Sequence, residues 1–123
     1  MRSPSLSQAL SRLAVAFCFL GFGIWELISP ITWTSYVPAF VQNFLDPVIL
    51  VLVHGIVLTV SGLAVFSGWK SRFFTGLSAL IMLEICIEIF LQEGFSDIFI
   101  RDMAIFLFIA AMVAQTFERE SVA

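Results

Sequence analysis

Four long apolar runs, at residues 10–28, 48–66, 73–91 and 98–114, take up most of the 123 residues. Each is roughly 17–19 residues long, and at about 1.5 Å of helical rise per residue each approaches the ~30 Å hydrocarbon core of a bilayer. A water-soluble alternative fails on composition. The chain is 60% hydrophobic and 12% charged, whereas a soluble domain carries about a quarter charged residues. A chain this short cannot bury so much apolar surface by folding on itself. In lipid every backbone polar group must be satisfied within the segment, so the runs are expected to be helices rather than strands. The expected fold is an all-α, integral membrane four-helix bundle, antiparallel, forming a single domain.

Local signals place the ends of the runs. Arg12 marks the start of the first, and Ser29-Pro30 stops it. Asp46 is positioned to cap the second, with Pro47 as its first helical residue and Gly68 closing it. Ser71-Arg72 opens the third and Gly94 closes it, and Ser96 or Asp97 caps the fourth. The first run has basic residues before it, but it is long for a signal peptide. It also ends in Trp25-Glu26 with no small-residue cleavage pattern, so it is expected to be a retained span. Residues 29–45 are not a plain linker. Trp33, Tyr36, Val37, Phe40, Val41 and Phe44 recur at three- and four-residue steps, the pattern of a short amphipathic segment lying at the interface. Trp25, Trp33 and Tyr36 suit an outer aromatic belt and Trp69 an inner one.

Sidedness follows from the basic residues. Arg2, Arg12, Lys70, Arg72 and Arg119 all fall on one side of the four runs, while the other side carries Asp46, Glu93 and Asp97. The positive-inside rule then places both termini in the cytoplasm and the protein in the cytoplasmic membrane. The net charge of −3 adds little, since distribution matters more than total here.

Ionisable residues inside the runs are the strongest functional signal, because such groups are costly in hydrocarbon and rarely persist without a partner or a task. Counting helical rise, Glu84 and Glu88 lie about 12 and 6 Å below the outer end of the third run, and His54 about 11 Å below the outer start of the second. Arg101 and Asp102 lie about 7 Å below the start of the fourth, and Glu26 about one turn from the end of the first. Glu26, His54, Glu84, Glu88, Arg101 and Asp102 thus share the outer half of the bundle, and the inner half has no such residue. Glu84 and Glu88, four apart, share a helix face. Depth matching pairs Glu88 with Arg101, the one cation at that level, with Asp97 on the face of Arg101 as a second partner. Asp102 points about 100° away and needs another contact, on the first span. Glu84 and His54, at similar depth, are the pair placed to share a proton. These six residues are the candidate ligand or proton site, with structural locking of the helices as the competing reading.

Other chemistries lack residues. The single His and the absence of three ligands at metal spacing argue against zinc or haem. Cys18 and Cys86 sit apart within apolar runs as packing residues and form no exchange pair. No basic patch suggests nucleic acid. Small residues mark expected packing seams: Ala14, Cys18 and Gly21 on the first span, and Gly55, Ser61 and Gly62 on the second.

Several segments in order resemble the DoxX family of small four-span membrane proteins. They are FGIWELISP at 22–30, WTSYVP at 33–38, HGIVLTVSGLAVFSG at 54–68 and FSDIFIRD at 95–102. The resemblance runs from about residue 10 to 114. It departs where Glu26 stands, a place at which members often carry a basic residue, and near Ser61, where they often carry an acidic one. The resemblance implies association with redox systems: a subunit of a thiosulfate:quinone oxidoreductase, or a partner in thiol or superoxide metabolism. On that footing the chain is expected to be a non-catalytic subunit or accessory factor, partnered by lipid and by an oxidoreductase subunit or further copies of itself. A quinone headgroup would then be the ligand of the polar cluster. The alternative is an autonomous small-molecule or proton-coupled carrier. Against it, the inner half offers no polar exit and no inverted repeat is visible.

Overall fold

The structure, a computed structural model, describes residues 4–122, with side chains described through residue 118. Arg2 and the side chain of Arg119, two of the five basic residues behind the sidedness expectation, lie outside the described residues. The chain forms α1 (Leu6–Ile28), α2 (Pro30–Trp33), a 3-10 turn (Thr34–Tyr36), α3 (Ala39–Gln42), α4 (Pro47–Ser67), α5 (Ser71–Glu93) and α6 (Asp97–Val122). Among the described residues there is no strand. Helices α1, α4 and α5 are each long and apolar enough to cross a membrane. Large side chains such as Phe17, Leu63, Phe66 and Leu80 stay exposed on the outside of the molecule, as lipid solvation permits.

The helix ends follow local chemistry. Ser5 and Gln8 form a capping box: the Ser5 hydroxyl accepts from Gln8 N–H at 3.2 Å, and Gln8 Oε1 accepts from Ser5 N–H at 2.8 Å. This reciprocal pair starts α1 four residues before the apolar run does. Asp46 caps α4 by accepting from Val48 N–H at 2.9 Å, ahead of Pro47. Gly68 ends α4 in the left-handed region with φ 80°, where a Cβ would be strained. The Ser96 hydroxyl accepts from Phe99 N–H at 3.2 Å to open α6.

Two antiparallel hairpins build the bundle. In the first, α1 packs along α4 through a seam of small residues. A Cβ at Gly23 would lie 2.6 Å from Thr59 Oγ1 and 3.0 Å from the Gly55 carbonyl oxygen, so only glycine lets the two backbones approach this closely. One turn and more below, Gly62 faces Phe19 and Leu20, and the Arg12 guanidinium reaches Gly68. In the second hairpin, α6 returns along α5, with Phe90 against Phe99 at one end and the Arg72 guanidinium 5.1 Å from the Phe117 ring at the other. The hairpins are joined by the tight turn at Gly68–Lys70, beside which Trp69 stacks on Phe74. We call the end holding this turn the turn end, and the end holding residues 29–46 and 94–96 the loop end.

The seam corrects one expectation. Gly55, Ser61 and Gly62 are buried as expected, but Ala14 and Gly21 are exposed, with no neighbour within 4 Å of a Cβ at Gly21, and Cys18 is half-buried. The stripe on α1 that meets α4 is Ala16, Phe19 and Gly23. Lipid accepts small and large apolar residues alike on the outer face, so residue size alone does not reveal which face of such a helix packs. Between the hairpins, Val15, Phe19, Leu58, Val65, Ile81, Met82 and Ile109 form a dry core from mid-bundle toward the turn end.

Candidate functional site

Above that core, toward the loop end, the hairpins separate around a cavity of about 390 Å³. All six candidate residues line it: Glu26 from α1, His54 from α4, Glu84 and Glu88 from α5, and Arg101 and Asp102 from α6. Apolar and aromatic groups form the remaining walls, among them Phe22, Leu50, Val57 and Ile85, with Leu58 and Met82 beneath.

His54 is the hub. Its Nδ1 lies 2.9 Å from Glu26 Oε1 and 3.1 Å from Oε2. A hydrogen bond at this range needs one proton between Nδ1 and Glu26, which the imidazole donates when Glu26 is a carboxylate. The other ring nitrogen, Nε2, lies 3.3 Å from Glu84 Oε2. That approach is ion-pair close but poorly angled, and Nε2 has no hydrogen bond. Two facing lone pairs at this range would repel, so a proton belongs between Nε2 and Glu84, carried by one or the other. Glu88 stands one turn from Glu84 on α5 and lines the same cavity. The result is a chain of titratable groups, Glu26–His54–Glu84–Glu88, crossing from α1 through α4 to α5. Among the described residues no three such side chains converge as a metal-binding group.

The pairing of His54 with Glu84 meets the expectation from depth. The contact of His54 with Glu26 does not appear in that reading, because depth on the first span was counted from its apolar end at Ile28. The seam sets a different register. With Gly23 against Gly55 and Thr59, the next turn of α1 brings Glu26 beside His54, and a Cβ at Gly55 would lie 3.1 Å from Glu26 Cβ. Helix α2 and the 3-10 turn continue the protein layer above Ile28, so Glu26 lies inside the bundle, 7% exposed. The glycines at 23 and 55, read as a pair, were the signal for this register.

Arg101 corrects a second expectation. Its Nε donates to Asp102 Oδ1 at 3.0 Å, and its guanidinium lies 5.8 Å from the Phe22 ring. Among the described residues no ion pair joins it to Glu88 or to Asp97. Asp102 is the buried partner, 4% exposed, and it holds Arg101 flat across α6 instead of letting it extend to α5. The roughly 100° between adjacent helix residues is spanned by the long, bent Arg side chain, which the depth count ignored.

The amphipathic segment of residues 29–45 caps the cavity. Trp33, Tyr36, Val37, Pro38 and Val41 line it. Trp33 sits edge-on to Phe22 at 5.7 Å and to Trp25 at 5.1 Å, and lies 5.8 Å from Tyr36. The Val37 carbonyl accepts from Gln42 Nε2 at 2.9 Å and, more weakly, from Gln92 Nε2 at 3.5 Å, which ties the cap to α5. Of the expected outer belt, Trp25 remains half-exposed while Trp33 and Tyr36 turn inward to the cavity. The Trp33 Nε1 donor is buried without a hydrogen-bond partner, as is His54 Nε2. Ser61 Oγ is also buried and unpartnered, and nothing in its surroundings explains it.

Compared with protein-family models, curated proteins and solved structures, the chain matches none.

Proposed function

We propose that the protein is a four-span membrane protein that holds a small molecule in the cavity between its hairpins, with the polar head of that molecule at the Glu26–His54–Glu84 wall. Helix α6 serves as the fourth span, its Arg101–Asp102 pair neutralised internally. The observation carrying this reading is a cavity of about 390 Å³ lined by Trp33, whose buried Nε1 has no hydrogen-bond partner, and by His54, whose Nε2 meets Glu84 Oε2 at 3.3 Å only at a poor angle. A buried unsatisfied donor costs about 1–3 kcal/mol, and such groups are rare in folded proteins. A purely structural lock would pair all its members. A ligand with a polar head would, with small side-chain shifts, pair Trp33 Nε1 through an oxygen acceptor and compete with Glu84 for His54.

Within this reading the DoxX-like segments favour a non-catalytic role in a membrane redox system, and a quinone is the ligand they imply. A quinone suits the site chemically, because its carbonyls accept hydrogen bonds and its ring suits aromatic walls. A carrier role has less support, since the core toward the turn end contains no ionisable residue among those described. The test is purification of the native protein in mild detergent, with extraction of bound lipid and quinone and mass spectrometry of co-purifying chains. Bound quinone at near-unit stoichiometry, lost in Glu84→Gln at unchanged expression, is the expected result. A ligand-free oligomer of this chain alone would refute the redox reading.

A further inference from the structure

We infer that the cavity is loaded sideways from the bilayer, through the cleft between α4 and α5, and that its ligand is a lipid-soluble molecule with one hydrogen-bonding head and an apolar tail leaving by that cleft. This rests on the cavity being a ligand site, and it adds where the ligand comes from and what it must look like.

Three sides of the cavity are closed and a fourth is barred to a hydrocarbon tail by a charge. The cap formed by Trp33, Tyr36 and Val41 covers the loop end, and its Val37 carbonyl is tied to α5 by Gln92. Leu58 and Met82, both buried, form the floor. The α1–α4 side is sealed by the glycine seam. On the α1–α6 side the helices pack even less than α4 and α5, but the Arg101 guanidinium lies over Phe22, anchored by buried Asp102, and sets a charge across that gap that an apolar tail avoids. Helices α5 and α6 pack extensively against each other, whereas α4 and α5 do so far less.

The lips of the α4–α5 cleft line the cavity and also face outward. Val53 is 53% and Val57 36% exposed, and the Glu84 side chain is 46% exposed. Val57 lies about 15 Å along α4 from Pro47. That distance puts the opening at acyl-chain level, not at the water interface. Two of the three lip residues are valine, which suits a hydrocarbon tail. The third is the carboxyl group next to His54. An ionisable side chain left half-exposed at this depth is costly unless something polar regularly meets it. A headgroup passing inward meets Glu84 first and then His54, and its tail stays between the valines.

Photolabelling tests this directly on the full chain in phosphatidylcholine nanodiscs doped with a long-chain alcohol that carries an alkyl diazirine beside its hydroxyl head. Such probes label carboxyl groups efficiently. Glu26 stands on the far wall with a side chain only 9% exposed, so the head of the probe reaches it only by entering the cavity. The expected result is an adduct on Glu26 as well as Glu84, with the Glu26 adduct lost in Val57→Trp and in Val53→Trp. Ile56→Trp, on the outer face of the same helix, should leave it intact, and a retained Glu84 adduct with an unchanged unfolding midpoint shows that each variant is folded and exposed to the probe. No Glu26 adduct while Glu84 is labelled, or a Glu26 adduct indifferent to Val53→Trp and Val57→Trp, would overturn sideways entry. Neither outcome depends on quinone extraction. A labelled Glu26 in a protein that yields no quinone would keep the route and discard the redox ligand.

Discussion

Gly23→Ala should destabilise this protein, although the same change two residues earlier should not. An added Cβ at Gly23 would meet Thr59 Oγ1 at 2.6 Å, Thr59 N at 2.9 Å and the Gly55 carbonyl oxygen at 3.0 Å. Two of those three atoms are backbone, so no rotamer change relieves them. The third is itself held, since Thr59 Oγ1 donates to the Gly55 carbonyl at 2.8 Å. The helices must therefore part by several tenths of an ångström along their tightest stretch. Overpacking of this kind costs about 1–3 kcal/mol. Replacing a helical glycine by alanine returns about 0.5–1 kcal/mol of backbone entropy and propensity. The net expectation is a loss of about 1–2 kcal/mol for Gly23→Ala. Gly21→Ala has open space around its Cβ, so it should be neutral or stabilising by up to about 1 kcal/mol. Thermal unfolding midpoints of both variants in one detergent give the comparison. If Gly23→Ala unfolds at or above the midpoint of Gly21→Ala, the seam is not where the backbones meet, and the register that sets Glu26 beside His54 falls with it.

Three further outcomes follow from the site. Arg101→Ala leaves buried Asp102 without its cation and should cost about 1–2 kcal/mol, below the value for a fully buried pair because the Arg101 side chain is 54% exposed. Adding Asp102→Asn should recover part of that loss, and a strictly additive double-mutant cycle in thermal unfolding would show that the two side chains do not interact. Glu26→Gln replaces the carboxyl partner of His54 Nδ1 by an amide. It should lower stability by about 1 kcal/mol and reduce ligand retention, so unfolding and lipid-extract measurements unchanged from the parent would remove Glu26 from the site. Glu84→Gln, whose side chain faces the cleft, should abolish retention of the extracted ligand with little change in unfolding midpoint when both proteins are compared free of ligand; a large drop in that comparison with retention intact would assign it a structural task instead.

The helical spans were legible because lipid imposes a length and an apolar character that 123 residues display openly. Their ends were legible too, since Asp46-Pro47, Gly68 and Gly94 act through local geometry that needs no tertiary context. The polar cluster and its His54–Glu84 contact could be found because helical rise converts sequence position into depth. Rotation about each helix axis was not available from depth alone. Gly21 and Gly23 are indistinguishable by size, and only the facing Gly55 and Thr59 tell them apart. Arg101 was assigned to Glu88 by height, when the length and bend of its own side chain allowed the nearer Asp102. Trp33 looked like an interface anchor because indole suits headgroups, yet the fold turns it into the cavity, a choice made by Phe22 and Trp25 packing against it.

The two hairpins are each sealed along their length, and the cavity lies where they lean on one another with the least packing. A molecule lodged there acts as mortar in the weakest joint. Occupancy at one hundred times the dissociation constant adds about 2.7 kcal/mol to the folded state. Resistance to heat can therefore serve as the readout for a chemical library screened without any assay of activity, and the compound that most delays unfolding will have named the occupant.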